Sequence, residues 1–162
     1  MIMLDQDLIK LVEEIKAVSN GKYIATAESC TGGLLSSYLT SIAGSSNYFS
    51  TGIVSYSNKT KTKLLNVSNK ILDDFGAVSE EVAKEMAIGL LQVSDSDIAI
   101  SVTGVAGPDG GTEDKPIGMV CFGVATSQGA KTVTHNFSGT RTEIREQSCR
   151  VALNLILSVL IC

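Results

Sequence analysis

The segment Tyr23 to Ala27 is a short strand candidate that runs into Ser29-Cys30-Thr31-Gly32-Gly33. Beyond it Leu34, Leu35, Tyr38, Leu39 and Ile42 recur at helical spacing. A strand that turns into a helix across paired glycines has to lay that helix back over its own sheet, which points to layered α/β architecture. Gly44 is expected to close this helix as its C-cap.

The rest of the chain repeats the alternation. Leu8, Leu11, Val12 and Ile15 share one helical face behind an Asp5 cap. Thr51 to Ser57 is a strand candidate, Asn58 a cap for a short helix through Leu65, and Ser79 a cap for a longer helix through Val93. Asp97 to Thr103, rich in Ile, Ala and Val, has the composition of a central strand. Pro116 to Thr126 and Lys131 to Phe137 form a hairpin around Ser127-Gln128-Gly129-Ala130. Thr140-Arg141-Thr142-Glu143 opens the last helix as a capping box. The expected fold is a three-layer α/β/α sandwich with a mixed, mostly parallel sheet, and residues 1–162 read as a single domain.

Charge and residue usage narrow the function. A formal net charge of −4 argues against nucleic acid as a partner, and Lys59, Lys61 and Lys63 are the only dense positive run. The N-terminal Met1-Ile2-Met3-Leu4-Asp5 lacks the basic and apolar regions of a signal peptide. The apolar run Val151 to Ile161 is too short to span a bilayer and is expected to be a buried helix, so no membrane association and a cytoplasmic location are expected. Cys30, Cys121, Cys149 and Cys162 form no C-x-x-C pair, which fits reduced thiols. With His135 as the only histidine, a zinc site has little to stand on. Composition leaves a carboxylate magnesium site open, although Asp109, Glu113 and Asp114 read more simply as exposed loop charges.

Four segments could carry chemistry. Ser29 at a strand-to-helix turn is a candidate nucleophile, with free N–H groups of the helix available for an oxyanion or phosphate; a helix cap uses the same residues. A serine nucleophile needs a base. His135 lies on the late hairpin, where a satisfied or solvent-facing role suits it better, so Lys61 and Tyr56 are the alternatives. With Asn58 as cap, Lys61 falls at the third helical position, where the helix dipole and the charges of Lys59 and Lys63 disfavour its ammonium. A solvated helix start fits the same spacing. Thr103-Gly104-Val105-Ala106-Gly107-Pro108-Asp109-Gly110-Gly111 matches neither the P-loop nor G-x-G-x-x-G, and can present N–H groups or form a tight turn. Arg141, with Arg145 one turn on, sits at a helix start suited to a phosphate.

Taken together, Ala27-Glu28-Ser29-Cys30-Thr31-Gly32-Gly33, Ala43-Gly44-Ser45-Ser46, Tyr56-Ser57-Asn58, Gly76-Ala77-Val78-Ser79, Gly104 to Gly111, Lys115-Pro116-Ile117-Gly118 and Arg141 resemble the CinA C-terminal domain family. Stand-alone members of that family include nicotinamide-nucleotide amidases of the PncC type. The resemblance implies hydrolysis of nicotinamide mononucleotide to nicotinate mononucleotide and ammonia, in pyridine-nucleotide recycling. It implies Ser29 as nucleophile, Lys61 and Tyr56 as its activating partners, and Gly44, Ser46, Thr103, Gly104 and Arg141 as substrate-binding positions. N–H groups of Cys30, Thr31 and Gly32 are the expected oxyanion donors. No metal or cofactor is required, and a homodimer is the usual assembly. Longer CinA proteins carry an N-terminal domain that this sequence lacks, which favours the stand-alone enzyme. Two rival expectations remain: Cys30 as a thiolate nucleophile, and an inactive nucleotide-binding or competence/damage-associated module.

Overall fold

Helices and strands alternate along the chain in the computed structural model, which describes residues 3–162; Met1 and Ile2, read above as part of a leaderless N-terminus, lie outside them. Helix α1 (Gln6–Val18) leads to strand β1 (Ile24–Glu28), α2 (Leu34–Leu39) and a 3-10 turn at Ser45–Asn47. Strand β2 (Phe49–Val54) is followed by α3 (Asn58–Leu65), α4 (Asn69–Phe75) and α5 (Glu80–Val93). Then come β3 (Ile98–Gly104), β4 (Met119–Thr126), β5 (Gly129–Asn136) and α6 (Arg141–Leu160).

The five strands lie in the order β2-β1-β3-β4-β5. Strands β2, β1 and β3 run parallel, and the β4–β5 hairpin is antiparallel to its neighbours. The architecture is therefore the expected mixed sandwich. On one face α1, α2 and α6 bury Leu8, Leu35, Leu153 and Ile156 against Ile24, Ile100, Val102 and Phe122. On the other, Leu65, Val82, Met86 and Leu90 of α3 and α5 cover Ala25, Ala27, Ala99 and Ala125. Those strand residues are small, so α5 sits close: a Cβ on Gly123 would lie 2.4 Å from the Ala83 carbonyl oxygen.

Local capping explains where the expected boundaries hold and where they shift. Asp5, Ser79 and Thr140 cap α1, α5 and α6 as predicted, Thr140 through a capping box with Glu143. Helix α3 is capped by Ser57 rather than Asn58: the Ser57 hydroxyl accepts from the Thr60 N–H, which places Lys61 at the fourth helical position. Helix α2 stops at Leu39, short of Ile42. Ser41 donates to the Tyr38 carbonyl through both its N–H and its hydroxyl, taking the acceptor that the next helical turn needs. Gly44 (φ +82°) consequently opens the 3-10 turn instead of closing α2. Helix α4, unanticipated from periodicity, is a short segment capped by Ser68.

The C-terminal apolar run is helical through Leu160 and buries one face, Ala152, Leu153, Ile156 and Leu160, while Asn154 and Ser158 are exposed and Ile161, beyond the helix, is 65% exposed. Among the described residues no helix is long and apolar enough to cross a membrane. All four cysteines are unpaired.

Candidate active site

Strand order reverses about β1: the chain leaves it for β2 on one side and returns to β3 on the other. Ligands bind characteristically outside the carboxyl ends of parallel strands at such a switch point. Ser29 follows the end of β1, and Thr103 and Gly104 close β3 beside it. The Ser29 N–H donates to the Val102 carbonyl at 2.9 Å, continuing the ladder one residue beyond the strand and fixing the side chain's direction.

Lys61 meets it from the opposite layer. Its Nζ lies 2.9 Å from Ser29 Oγ, 2.7 Å from the Ser55 carbonyl and 3.4 Å from the Tyr56 carbonyl. Lys61 stands one helical turn before buried Leu65, so α3 carries both inward, and only 1 % of the lysine is exposed. Burial lowers its pKa from 10.5 to about 8. Lys59 and Lys63 are exposed on the outer side of α3, so desolvation replaces the expected charge repulsion as the cause. The partners define the proton's path. The two carbonyls can only accept, so a neutral Lys61 amine gives them its two hydrogens. Its lone pair is then left for the one partner able to donate, the Ser29 hydroxyl.

The N–H groups of the following turn are mostly committed. Fully buried Glu28 accepts from the Gly33, Leu35 and Ser36 N–H groups and from the Ser36 hydroxyl. Gly32 N–H donates to the Ser29 carbonyl, and Leu34 N–H to that of Thr31. The α2 N-terminus is thus filled by the chain's own carboxylate, and the bond to the Ser29 carbonyl removes Gly32 from the expected oxyanion donors. Cys30 and Thr31 N–H have no partner among the described residues. Arg145 donates to the Thr31 carbonyl at 2.8 Å and braces the turn; it does not line the cavity. Cys30 does line it, yet is 5 % exposed and pushed up to about 12 by burial, the opposite of an activated thiolate.

A cavity of about 300 Å³ opens above Ser29 and Lys61. Tyr56, 61 % exposed, stands at its mouth. The phenol accepts from Arg141 Nη2 at 3.2 Å, while Arg141 Nη1 donates to the Gly107 carbonyl at 2.8 Å. The Tyr56 hydroxyl makes no hydrogen bond to Lys61 or Ser29, so the expected relay role lacks the required contact; only its carbonyl reaches Lys61. Thr103 and Gly104 line the cavity. A Cβ on Gly104 would lie 2.6 Å from Val120 and 2.8 Å from the Met119 carbonyl, so strand packing demands glycine there. Gly44 and Ser46 lie elsewhere. They precede Phe49, which pairs with the first residue of β1, whereas Ser29 follows the last. At a rise of about 3.3 Å per residue the strand separates them by roughly 15 Å.

His135 is on β5, stacked on Phe137 and edge-on to Phe122, and does not line the cavity. No group of three or more His, Cys, Asp or Glu able to hold a metal occurs among the described residues. Arg145, read with Arg141 as suited to a phosphate, instead braces the Thr31 carbonyl, and Glu28 and Ser55 are supporting residues that sequence patterns did not assign. Of these two, Glu28 carried a signal, as an acidic residue ending an apolar strand ahead of a helix start.

The CinA C-terminal domain profile matches residues 6–160. A CinA-like protein of Endomicrobium trichonymphae is 48% identical over 97% of this chain and 37% of its own length. A putative competence-damage inducible protein of Caldicellulosiruptor saccharolyticus is 46% identical over 97% of this chain and 38% of its own. The chain thus spans little more than a third of these curated relatives. Among solved structures, the competence/damage inducible protein CihA from Agrobacterium tumefaciens superposes with a TM-score of 0.93 at 39% identity, covering 100% of both chains. The chain belongs to the CinA C-terminal domain family.

Proposed function

We propose that the chain is an amidohydrolase that converts nicotinamide mononucleotide to nicotinate mononucleotide and ammonia, with Ser29 as nucleophile and Lys61 as general base. The observation that carries it is the buried Lys61 amine at 2.9 Å from Ser29 Oγ, with a pKa lowered to about 8. Ser29 Oγ attacks the carboxamide carbon as its proton passes to Lys61. The oxyanion is held by the Cys30 and Thr31 N–H groups. Lys61 returns the proton to the departing nitrogen and ammonia leaves; water then attacks the acyl ester as Lys61 takes its proton, and that proton passes to Ser29 Oγ as the acyl–Oγ bond breaks and nicotinate mononucleotide departs. Arg141 and the Gly104–Gly107 loop hold ribose and phosphate, and Tyr56 orients Arg141 from the cavity mouth.

A homodimer is part of this proposal. Gly44 and Ser46, distant from their own protomer's cavity, serve the substrate only across a second copy. Ammonia release from nicotinamide mononucleotide tests the assignment. Turnover is expected from wild type and from Cys30→Ala, with a loss of about 10³-fold or more in Ser29→Ala. Turnover that survives Ser29→Ala and disappears in Cys30→Ala overturns it. Nucleotide binding without turnover by the folded wild type favours a binding module.

A further inference from the structure

The Lys115-Pro116-Ile117-Gly118 segment takes no part in these steps, yet its lysine is bonded to a segment that lines the cavity. Lys115 Nζ donates to the Phe75 carbonyl at 3.1 Å and also to the Val78 carbonyl. Between them, the Ser79 hydroxyl donates to Gly76 O at 2.9 Å and the Thr103 hydroxyl to Ala77 O at 2.8 Å. Four successive carbonyls, from the last residue of α4 through Val78, therefore each accept a side-chain donor. Irregular surface backbone ordinarily leaves such groups to water.

Ala77 and Val78 line the cavity, as do Val105 to Gly107, Asp109 and Gly110 of the loop after β3. Lys115 is rooted in that loop: its N–H donates to Thr112 Oγ1 at 3.0 Å and its carbonyl accepts from Thr112 N–H at 2.9 Å. Ile117 packs across the same loop, so that a Cβ on Gly107 or Gly111 would lie 2.7 or 2.8 Å from it. Two charge-assisted bonds from one ammonium thus join walls 37 and 40 residues apart.

We propose that Lys115 is a positioning residue that clasps the Phe75–Val78 wall to the loop after β3 and sets the cavity width for the nucleotide part of the substrate. Its kinetic consequence rests on the amidase proposal; its effect on the wall does not. The test combines hydrogen exchange at residues 76–79 with steady-state ammonia release from nicotinamide mononucleotide, in wild type, Lys115→Met and Lys115→Arg. In Lys115→Met, exchange there is expected to quicken about tenfold through local opening. KM should rise about tenfold with kcat within about twofold and the pH profile unmoved, since the clasp is remote from the reacting atoms. Lys115→Arg, which keeps several donors, should restore most of both. Unchanged exchange overturns the clasp, as does a fall in kcat with KM unmoved or faster exchange with KM unmoved. If wild type releases no ammonia, the amidase proposal fails and exchange alone decides the clasp. Should Lys115→Met not fold, Lys115→Gln, which keeps a neutral donor on a shorter side chain, carries the same test.

Discussion

Lys61 joins stability to the proposed chemistry. Its pKa falls from 10.5 in the unfolded chain to about 8 in the folded one. Between those values the unfolded state binds more protons, so stability rises with pH across that window; below about 8 the full penalty of burying the ammonium applies. Lys61→Met keeps the side chain's bulk and removes the charge. It is expected to abolish turnover while raising stability at neutral pH by about 2 kcal/mol, an advantage that shrinks towards pH 10.5. Urea melts at neutral and alkaline pH check this, and a destabilised variant at neutral pH would contradict it. Much of the residue scale was legible: Ser29 at its turn, Lys61 as a nearby amine, and Arg141 at the start of α6. The burial of Lys61 was not, because a Lys59-Thr60-Lys61-Thr62-Lys63 run reads as a solvated helix start. Its spacing to Leu65, one turn on, was the available clue. Tyr56 could be placed beside the site from sequence, but the direction of its phenol depends on Arg141, which is 85 residues away.

Among the elements, backbone contact decides more than helix periodicity. Glu28 ties β1 to the start of α2 through four hydrogen bonds. Glu28→Gln has one acceptor oxygen for those donors and should destabilise the chain by about 1–3 kcal/mol, read in urea melts. Helix α5 meets α3 at Gly89, where a Cβ would lie 1.7 Å from the Leu65 carbonyl oxygen. Gly89→Ala must push the two helices apart, so a loss of about 3 kcal/mol or more is expected. A melt within error of wild type would show that α3 shifts freely. Strands and long capped helices were legible because alternation, periodicity and Ser/Thr/Asp caps act locally. The end of α2 and the existence of α4 were not: hydroxyl competition at Ser41 and a seven-residue helix leave little trace in periodicity.

At the scale of the whole molecule, the sheet's reversal about β1 brings Ser29, Lys61, Thr103 and Arg141 to one end, from segments spread across the sequence. Gly44 and Ser46 fall at the other end, which family resemblance alone could not foretell. A shared-site dimer makes a complementation prediction. Ser46→Arg and Ser29→Ala should each be inactive, and an equal mixture, allowed to exchange subunits, should recover about a quarter of wild-type ammonia release. No recovery would confine the site to one protomer. If a buried neutral lysine activates Ser29 for hydrolysis of nicotinamide mononucleotide, the pH dependence of kcat/KM for ammonia release reports its titration. The rate should climb about tenfold per pH unit and level off near the Lys61 pKa of about 8. A flat profile with chemistry rate-limiting, or no release by folded protein at any pH, would contradict it.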